Sequence, residues 1–261
     1  MIKKSLISAA VAASLFALSS AASANPTPLS NWYIDTDGAG GNAPVLVLDY
    51  LDLVGTAFVE NTFTSGTAFN FNEAGLFNAA TADGSTPLNP SLSATFIGTG
   101  SGTTGGALTF ATGGTLKVFS GATDIADFTL LSGSANLFAN STLPNGTVSL
   151  IFKATAMDAG YFFNSAMQDL AASVLSPTGL VLGMATTNVI NLNSAVSTPL
   201  INAYNAGFGT SLVSATGDGF NTLKLSNNGQ FQMAVPEPSM LSLLGLALVG
   251  VGFTTRRKSK V

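Results

Sequence analysis

The sequence predicts an all-β fold, a single antiparallel β-sandwich or jelly-roll-like domain. Short runs of alternating apolar and polar residues recur along the chain, with turn residues between them about every 8 to 12 residues, as in sandwiches. Charged residues make up only 8% of the 261 residues, against 46% that are hydrophobic. Hydroxyl, amide and glycine residues therefore supply most of the polarity, and these residues suit strand faces and turns.

Aromatic residues alternate with polar ones in the first half of the domain. Phe69 and Phe71 are separated by Asn70 and followed by Asn72, the period of two that a half-buried strand shows. Turns are expected at residues 83–85 and 87–90. Further strands are expected at 45–48, 92–97, 107–111, 115–119, 125–131, 147–154, 180–182, 189–192, 220–225 and 230–235, with a short one near Trp32 and Tyr33.

One helix is expected, over residues 164–174. Met167, Leu170, Ala171 and Val174 recur at spacings of three and four, and Asn164 or Ser165 could cap the first turn. Residues 194–214 are expected to be loop-rich, and residues 227–229, Asn-Asn-Gly, are expected to form a tight turn between the last two strands.

The N-terminus has the order of a secretory signal peptide. Lys3 and Lys4 precede an apolar, alanine-rich run at residues 6–18, and Ala-Ser-Ala at 22–24 is a cleavage site of the A-x-A type. We expect cleavage between Ala24 and Asn25, so that this segment takes no part in the fold.

The C-terminus combines a rigid polar motif, an apolar segment and a basic tail. The motif is Val235, Pro236, Glu237 and Pro238, and the tail contains Arg256, Arg257 and Lys258. The apolar run at 240–253 spans roughly 21 Å as a helix, against about 30 Å of hydrocarbon in a bilayer. Basic residues after such a run favour the cytoplasmic side, and the marginal length suits a transient transmembrane anchor.

This terminus resembles the PEP-CTERM sorting signal of exported proteins in Gram-negative bacteria that make extracellular polysaccharide. The resemblance implies export through the inner membrane and processing near the Pro-Glu-Pro motif by an exosortase, a membrane transpeptidase-like protease. It also implies a final location at the cell surface or in the extracellular matrix. The expected organisation is a signal peptide at 1–24, a secreted domain at 25–235 and the sorting signal at 236–261.

The body of the chain, residues 58–235, is more loosely similar to the flocculation-associated subgroup of these exported proteins. The similarity lies in short strand and turn segments at residues 73–77, 114–119, 126–128, 131–135, 217–221 and 226–231. It implies a non-enzymatic matrix protein that holds cells together in flocs or biofilms through exopolysaccharide, and it implies no catalytic or cofactor-binding residues.

Composition excludes several kinds of site. The chain has no cysteine and no histidine, so disulfides, thiolate or imidazole metal sites and histidine acid–base catalysis are absent. Residues 25–235 carry three lysines against twelve acidic residues, a formal charge of −9. Such a domain is not expected to bind nucleic acid, because it cannot neutralise phosphates.

Two other functions remain open from sequence. A carbohydrate-binding module would stack exposed aromatic side chains on sugar rings, and the candidates are Trp32, Tyr33, Tyr50, Tyr161 and Tyr204. A glycan hydrolase would use paired carboxylates, for which the candidate pairs are Asp49 with Asp52 and Asp124 with Asp127. No catalytic residue is expected under the preferred interpretation.

No cofactor is expected, with Ca²⁺ as the one candidate structural ion. Ca²⁺ takes oxygen ligands, and Asp35, Asp37 and Asp83 lie in predicted turns. The G-x-G-x-x-G pattern at 100–105 is interpreted as a glycine turn rather than a dinucleotide site, because a strand, not a helix, is expected to follow it.

Overall fold

The structure is a computed structural model that describes residues 26–38, 41–137, 146–174 and 179–236. Residues 28–235 form one compact unit. The strands are β1 (Pro26–Pro28), β2 (Trp32–Ile34), β3 (Val45–Val47), β4 (Leu51–Ser65), β5 (Ala68–Ala82), β6 (Thr86–Thr103), β7 (Leu108–Phe110), β8 (Thr115–Ser120), β9 (Thr123–Leu137), β10 (Gly146–Met157), β11 (Phe162–Phe163), β12 (Val181–Ile190) and β13 (Thr222–Pro236). The helices are α1 (Ala171–Val174) and α2 (Thr198–Phe208).

The long strands pair as one antiparallel sheet that closes on itself. β4 pairs with β5, β5 with β6, and β6 with both β7 and β8, which in turn pair with β9. β9, β10, β12 and β13 continue the sheet, and β13 pairs back with β4, where Leu223 lies opposite Val59. Since β13 is paired on both sides, this seam leaves no free strand edge.

The prediction of an antiparallel all-β fold is confirmed. Successive strands pair with one another as a meander, whereas a jelly roll would place non-successive strands side by side. The two walls of the closed sheet share one interior, the packing relation that the sandwich prediction describes. Phe128 of β9 packs edge-on against Phe231 of β13, with ring centroids 6.1 Å apart, and Phe96 of β6 packs against Phe152 of β10 at 5.9 Å.

A small three-stranded sheet, in the order β11-β2-β3, covers one end of the closed sheet. Trp32 of β2 and Phe162 of β11 are fully buried in the same core and stack with ring centroids 6.3 Å apart. The carboxylate of Asp83, in the β5–β6 turn, accepts hydrogen bonds from the amides of three successive residues after β3, at 2.7, 2.9 and 3.1 Å. The Ser120 hydroxyl, at the end of β8, donates to the Thr36 carbonyl. We call this end the covered end.

Helix α2 packs on the outside of the closed sheet, against β4, β5 and β6. Leu200, Ile201 and Tyr204 are buried there with Phe58 and Ala74 of the sheet. The Tyr204 hydroxyl donates to Glu60 Oε2 at 2.5 Å, and burial together with this bond raises the tyrosine pKa. The expectation of a loop-rich segment at 194–214 is therefore wrong for residues 198–208.

The helix expected at 164–174 is wrong for most of its length, since only α1 is helical. Asn164 explains the difference: its Oδ1 accepts hydrogen bonds from the amides of Ala166 and Gln168, at 2.9 and 3.0 Å. A side chain that satisfies these amides holds a local turn in place of the first helical turn.

Two expected turns lie inside long strands. Residues 87–90 belong to β6, and residues 227–229 belong to β13. Asn228 pairs with Thr187 of β12 on one side and with Val54 of β4 on the other. Pairing on both sides keeps this segment extended despite its Asn-Gly sequence. The turn expected at 83–85 is confirmed between β5 and β6.

Candidate functional site

A cavity of about 370 Å³ lies at the end of the closed sheet away from the covered end. Its walls come from the last part of β4, the first part of β5, and the adjacent ends of β7, β9, β10, β12 and β13. The apolar lining includes Phe63, Phe69, Phe71, Phe110, Ile190 and Leu223. The interior of the sheet is therefore filled at one end and hollow at the other, and we call the hollow end the cavity end.

Glu73 places a carboxyl group in this cavity. The residue follows Phe69 and Phe71 on the inward register of β5, opposite Val59 of β4 and Gly98 of β6. Part of its surface faces the cavity, while protein surrounds it. Burial raises the pKa of Glu73 to about 7. Sequence analysis did not single out this residue, although a charged side chain on the apolar register of an alternating strand is a readable signal.

Amide side chains continue the polar part of the interior. Asn188 of β12 lines the cavity, and its Oδ1 accepts a hydrogen bond from the Thr186 hydroxyl at 3.0 Å. Asn227 of β13 lies opposite Asn188 in the ladder and is only 6% exposed. Its Oδ1 has no hydrogen-bond partner among the described residues. Asn61, which lines the cavity, likewise has a buried Oδ1 without a partner among the described residues. Unsatisfied buried acceptors are costly, so two of them in or next to a cavity indicate a site rather than a stabilising core.

The loop that contains Asp218 and Phe220 forms part of the cavity rim, and hydrogen bonds hold its backbone in place. Asp218 accepts hydrogen bonds from the amides of Phe220 and Thr222, at 2.7 and 2.9 Å, and such bonds lower the pKa of its carboxyl group. The Asn61 side chain of β4 donates to the Phe220 carbonyl at 2.7 Å. The Phe220 ring itself is 68% exposed at the rim.

The predicted carboxylate pairs have structural partners. Asp124 and Asp127 both bind Lys117, with nitrogen–oxygen distances of 2.6 and 2.8 Å. Asp52 accepts from the Thr81 hydroxyl at 3.0 Å and from the Gly84 amide at 2.8 Å. None of these carboxylates, nor Asp49, lines the cavity.

The three aspartates considered for Ca²⁺ divide between two places. The Asp37 amide donates to Asp35 Oδ1 at 3.3 Å. Burial and the neighbouring Asp37 carboxyl raise the pKa of Asp35. Burial of Asp83 works against its charge, but its three amide donors outweigh that effect and lower its pKa. Within the described ranges, no group of three or more acidic side chains could hold a metal ion.

The five aromatic residues considered for sugar stacking do not share an exposed face. Trp32 and Tyr204 are fully buried, and Tyr161 packs against the core. Tyr33 and Tyr50 are half-buried.

Most residues of the predicted sorting and cleavage sites lie outside the described residues. Val235 and Pro236 end strand β13. The others, outside that part, are Ala24, Asn25, Glu237, Pro238, Arg256, Arg257 and Lys258. In the described part of the chain, no helix is both long enough and apolar enough to cross a membrane.

Comparison with known proteins identifies the C-terminal segment. Residues 234–258 match the family model described as the PEP-CTERM protein-sorting motif. Searches of curated proteins and of solved structures give no match. The match confirms the resemblance found in the sequence, and this motif indicates an exported, exosortase-sorted protein of a Gram-negative cell envelope.

Proposed function

We propose that this exported, exosortase-sorted protein acts without catalysis at the cell surface or in the extracellular matrix, where it contributes to floc or biofilm formation by binding exopolysaccharide. The observation that carries the proposal is the sorting motif at 234–258, since the similar exported proteins come from bacteria that make such polysaccharide. In this proposal the exosortase and the polysaccharide are the partners, and the membrane holds the chain only transiently.

The outer wall formed by β9, β10, β12 and β13 supports the proposal. Thr147, Thr187 and Asn228 are exposed and lie opposite one another across three neighbouring strands. Ser134 and Ser149 form a parallel row beside them. Neighbouring strands are about 4.8 Å apart, so the wall presents a regular array of hydroxyl and amide groups that can hydrogen-bond to sugar hydroxyls.

A weak contact of this kind gains strength by repetition. A polysaccharide presents the same sugar many times, and several molecules bound along one chain would link cells through multivalent attachment. The formal charge of −9 over residues 25–235 keeps the protein soluble, and it favours neutral or cationic polymers over strongly acidic ones.

The proposal is tested with the exported protein and the polysaccharide of the producing cell. Co-sedimentation should detect binding, and a triple variant, Thr147→Ala, Thr187→Ala and Asn228→Ala, should bind about tenfold more weakly. This figure corresponds to three lost hydrogen bonds at about 0.5 kcal/mol each. A strain with this variant in place of the natural protein should form fewer flocs.

The matched control makes the same kind of change elsewhere on the surface. Ser91 and Ser93 lie on the outer face of β6, and their replacement by alanine should leave binding and floc formation unchanged. Equal binding by all three proteins would contradict the role of the outer wall. Normal flocs in a strain that lacks the protein would contradict the proposed function itself.

A further inference from the structure

We propose that the cavity end binds a small amine with an apolar body, whose ammonium group contacts Glu73 while its body lies among the aromatic side chains. This inference does not rest on the polysaccharide function, because it concerns Glu73 and the aromatic side chains of the interior, although Thr147 of the outer wall also borders the cavity.

The size and lining of the cavity suit a small apolar molecule. Its volume of about 370 Å³ is at the lower end of the range of about 300–1,000 Å³ for ligand pockets. Phe71 and Phe110 meet edge-to-face inside it, with ring centroids 5.0 Å apart, and Phe63 and Phe69 lie together at 5.6 Å. Aromatic faces attract cations as well as apolar groups.

The charges of the lining select a cation. Glu73 and Asp218 are the acidic residues of the cavity wall, and no lysine or arginine is among its described lining residues. Asp218 is already bound by two backbone amides. Burial is what shifts the pKa of Glu73, with no hydrogen-bond or ion-pair partner among the described residues, and an unpaired buried carboxylate is unfavourable. A ligand ammonium would supply the missing partner, whereas a fatty acid would bring a second negative charge.

The amide groups nearby offer further acceptors. An ammonium group has three N–H donors and no acceptor. Asn188 lines the cavity, and Asn227, its neighbour in the ladder, has an unpartnered Oδ1. An amine therefore matches these side chains better than an alcohol, which brings one donor only.

Glu73 makes binding depend on pH. Burial raises its pKa to about 7, so the carboxyl group is mostly neutral at pH 5.5 and ionised at pH 8. The other titratable group that faces the cavity, Asp218, has a lowered pKa and stays ionised throughout this range. An alkylamine is protonated at both pH values, and its affinity therefore reports the charge of Glu73.

The experiment is isothermal titration calorimetry of the exported protein with n-octylamine, 1-octanol and octanoate at pH 8. Octylamine should bind at least about tenfold more tightly than either of the others, the difference that a charge-assisted hydrogen bond of about 1.5 kcal/mol makes. Lowering the pH to 5.5 should weaken octylamine binding by about tenfold or more, without any mutation.

Two variants complete the test. Glu73→Gln keeps the shape of the side chain and should lose at least tenfold in octylamine affinity, while its affinity for octanol stays the same. Asp49→Asn removes one charge from an exposed residue near the covered end and should change neither. Octanoate binding as tight as that of octylamine, full octylamine affinity in Glu73→Gln, or no binding of any probe would overturn the proposal.

Discussion

The two ends of the closed sheet differ in how their interiors are filled. At the covered end, a small sheet buries Trp32 and Phe162 in the core, and Asp83 fastens three backbone amides. At the cavity end, the interior contains empty volume, the buried carboxyl of Glu73 and the unpartnered amide oxygen of Asn227. The covered end also has an unpartnered buried atom among the described residues, Trp32 Nε1, but its packed rings and the Asp83 hydrogen bonds favour the folded state. The empty volume and the buried carboxyl group of the cavity end work against it. One end therefore provides stability, and the other keeps polar groups available for a ligand.

The largest effect is expected at the covered end. Trp32→Ala should lower the free energy of unfolding by about 3–5 kcal/mol, because it leaves a cavity beside Phe162. Urea denaturation followed by circular dichroism measures this loss. Trp32→Phe is the control and should lose much less, since the ring packing is largely kept. A loss below 1 kcal/mol in Trp32→Ala would show that the small sheet contributes little.

The next largest effect is expected from the hydrogen bonds between Asp83 and the backbone that follows β3. Asp83→Ala removes the acceptor of three amides and places alanine at a positive φ of 51°. The expected loss is about 2–3 kcal/mol in the same measurement. Asp83→Asn keeps one acceptor oxygen and tolerates this backbone conformation, so it should lose less. Equal losses in the two variants would mean that the charge alone matters.

At the cavity end, replacing the buried acidic side chain should raise the free energy of unfolding instead of lowering it. The pKa of Glu73 is about 7 in the folded protein and near 4.5 in the unfolded chain. The folded state therefore binds more protons between these values, and the natural protein loses stability as the pH rises from 4.5 to 7. Glu73→Gln should remove that loss and be more stable than the natural protein by about 2 kcal/mol at pH 8, less than the full pKa shift implies because part of the side chain faces the cavity. Near pH 4.5 the two should be equal, and urea denaturation at both pH values checks this.

The smallest effect is expected at the rim of the cavity. Phe220 is 68% exposed, and Phe220→Ala should change the free energy of unfolding by less than about 0.5 kcal/mol. A loss as large as that of Trp32→Ala would break the contrast between the two ends.

Local patterns predicted the strands, but not how the sheet closes. The alternation around Phe69 and Phe71 depends only on neighbouring residues, and it correctly predicts a strand there, β5. The pairing of β13 with β4 joins residues more than 150 positions apart, and no short-range pattern encodes it. The same closure explains the wrong turn at residues 227–229, since an Asn-Gly pair that is bonded on both sides remains extended.

The sequence patterns predicted neither helix α2 nor a role for Glu73, and the reasons differ. The apolar positions of α2, Leu200, Ile201 and Tyr204, stand among asparagine and glycine residues, which are weak helix formers. Its start signal, Ser197 before Pro199, was present. Glu73 lies on the same register of its strand as Phe71, but its role depends on the cavity, whose walls come from seven strands that are distant in the sequence.

Strand β13 also sets the order in which this protein can mature. A chain that crosses the membrane from its N-terminus delivers β4 early and β13 last, so the seam between them cannot form until nearly the whole domain has been translocated. Long-range pairings of this kind slow folding. The sorting motif begins where β13 ends, and a protease acting there meets the chain as its final strand becomes available. Completion of the fold and processing at the sorting motif are thus linked in time by their position in the sequence.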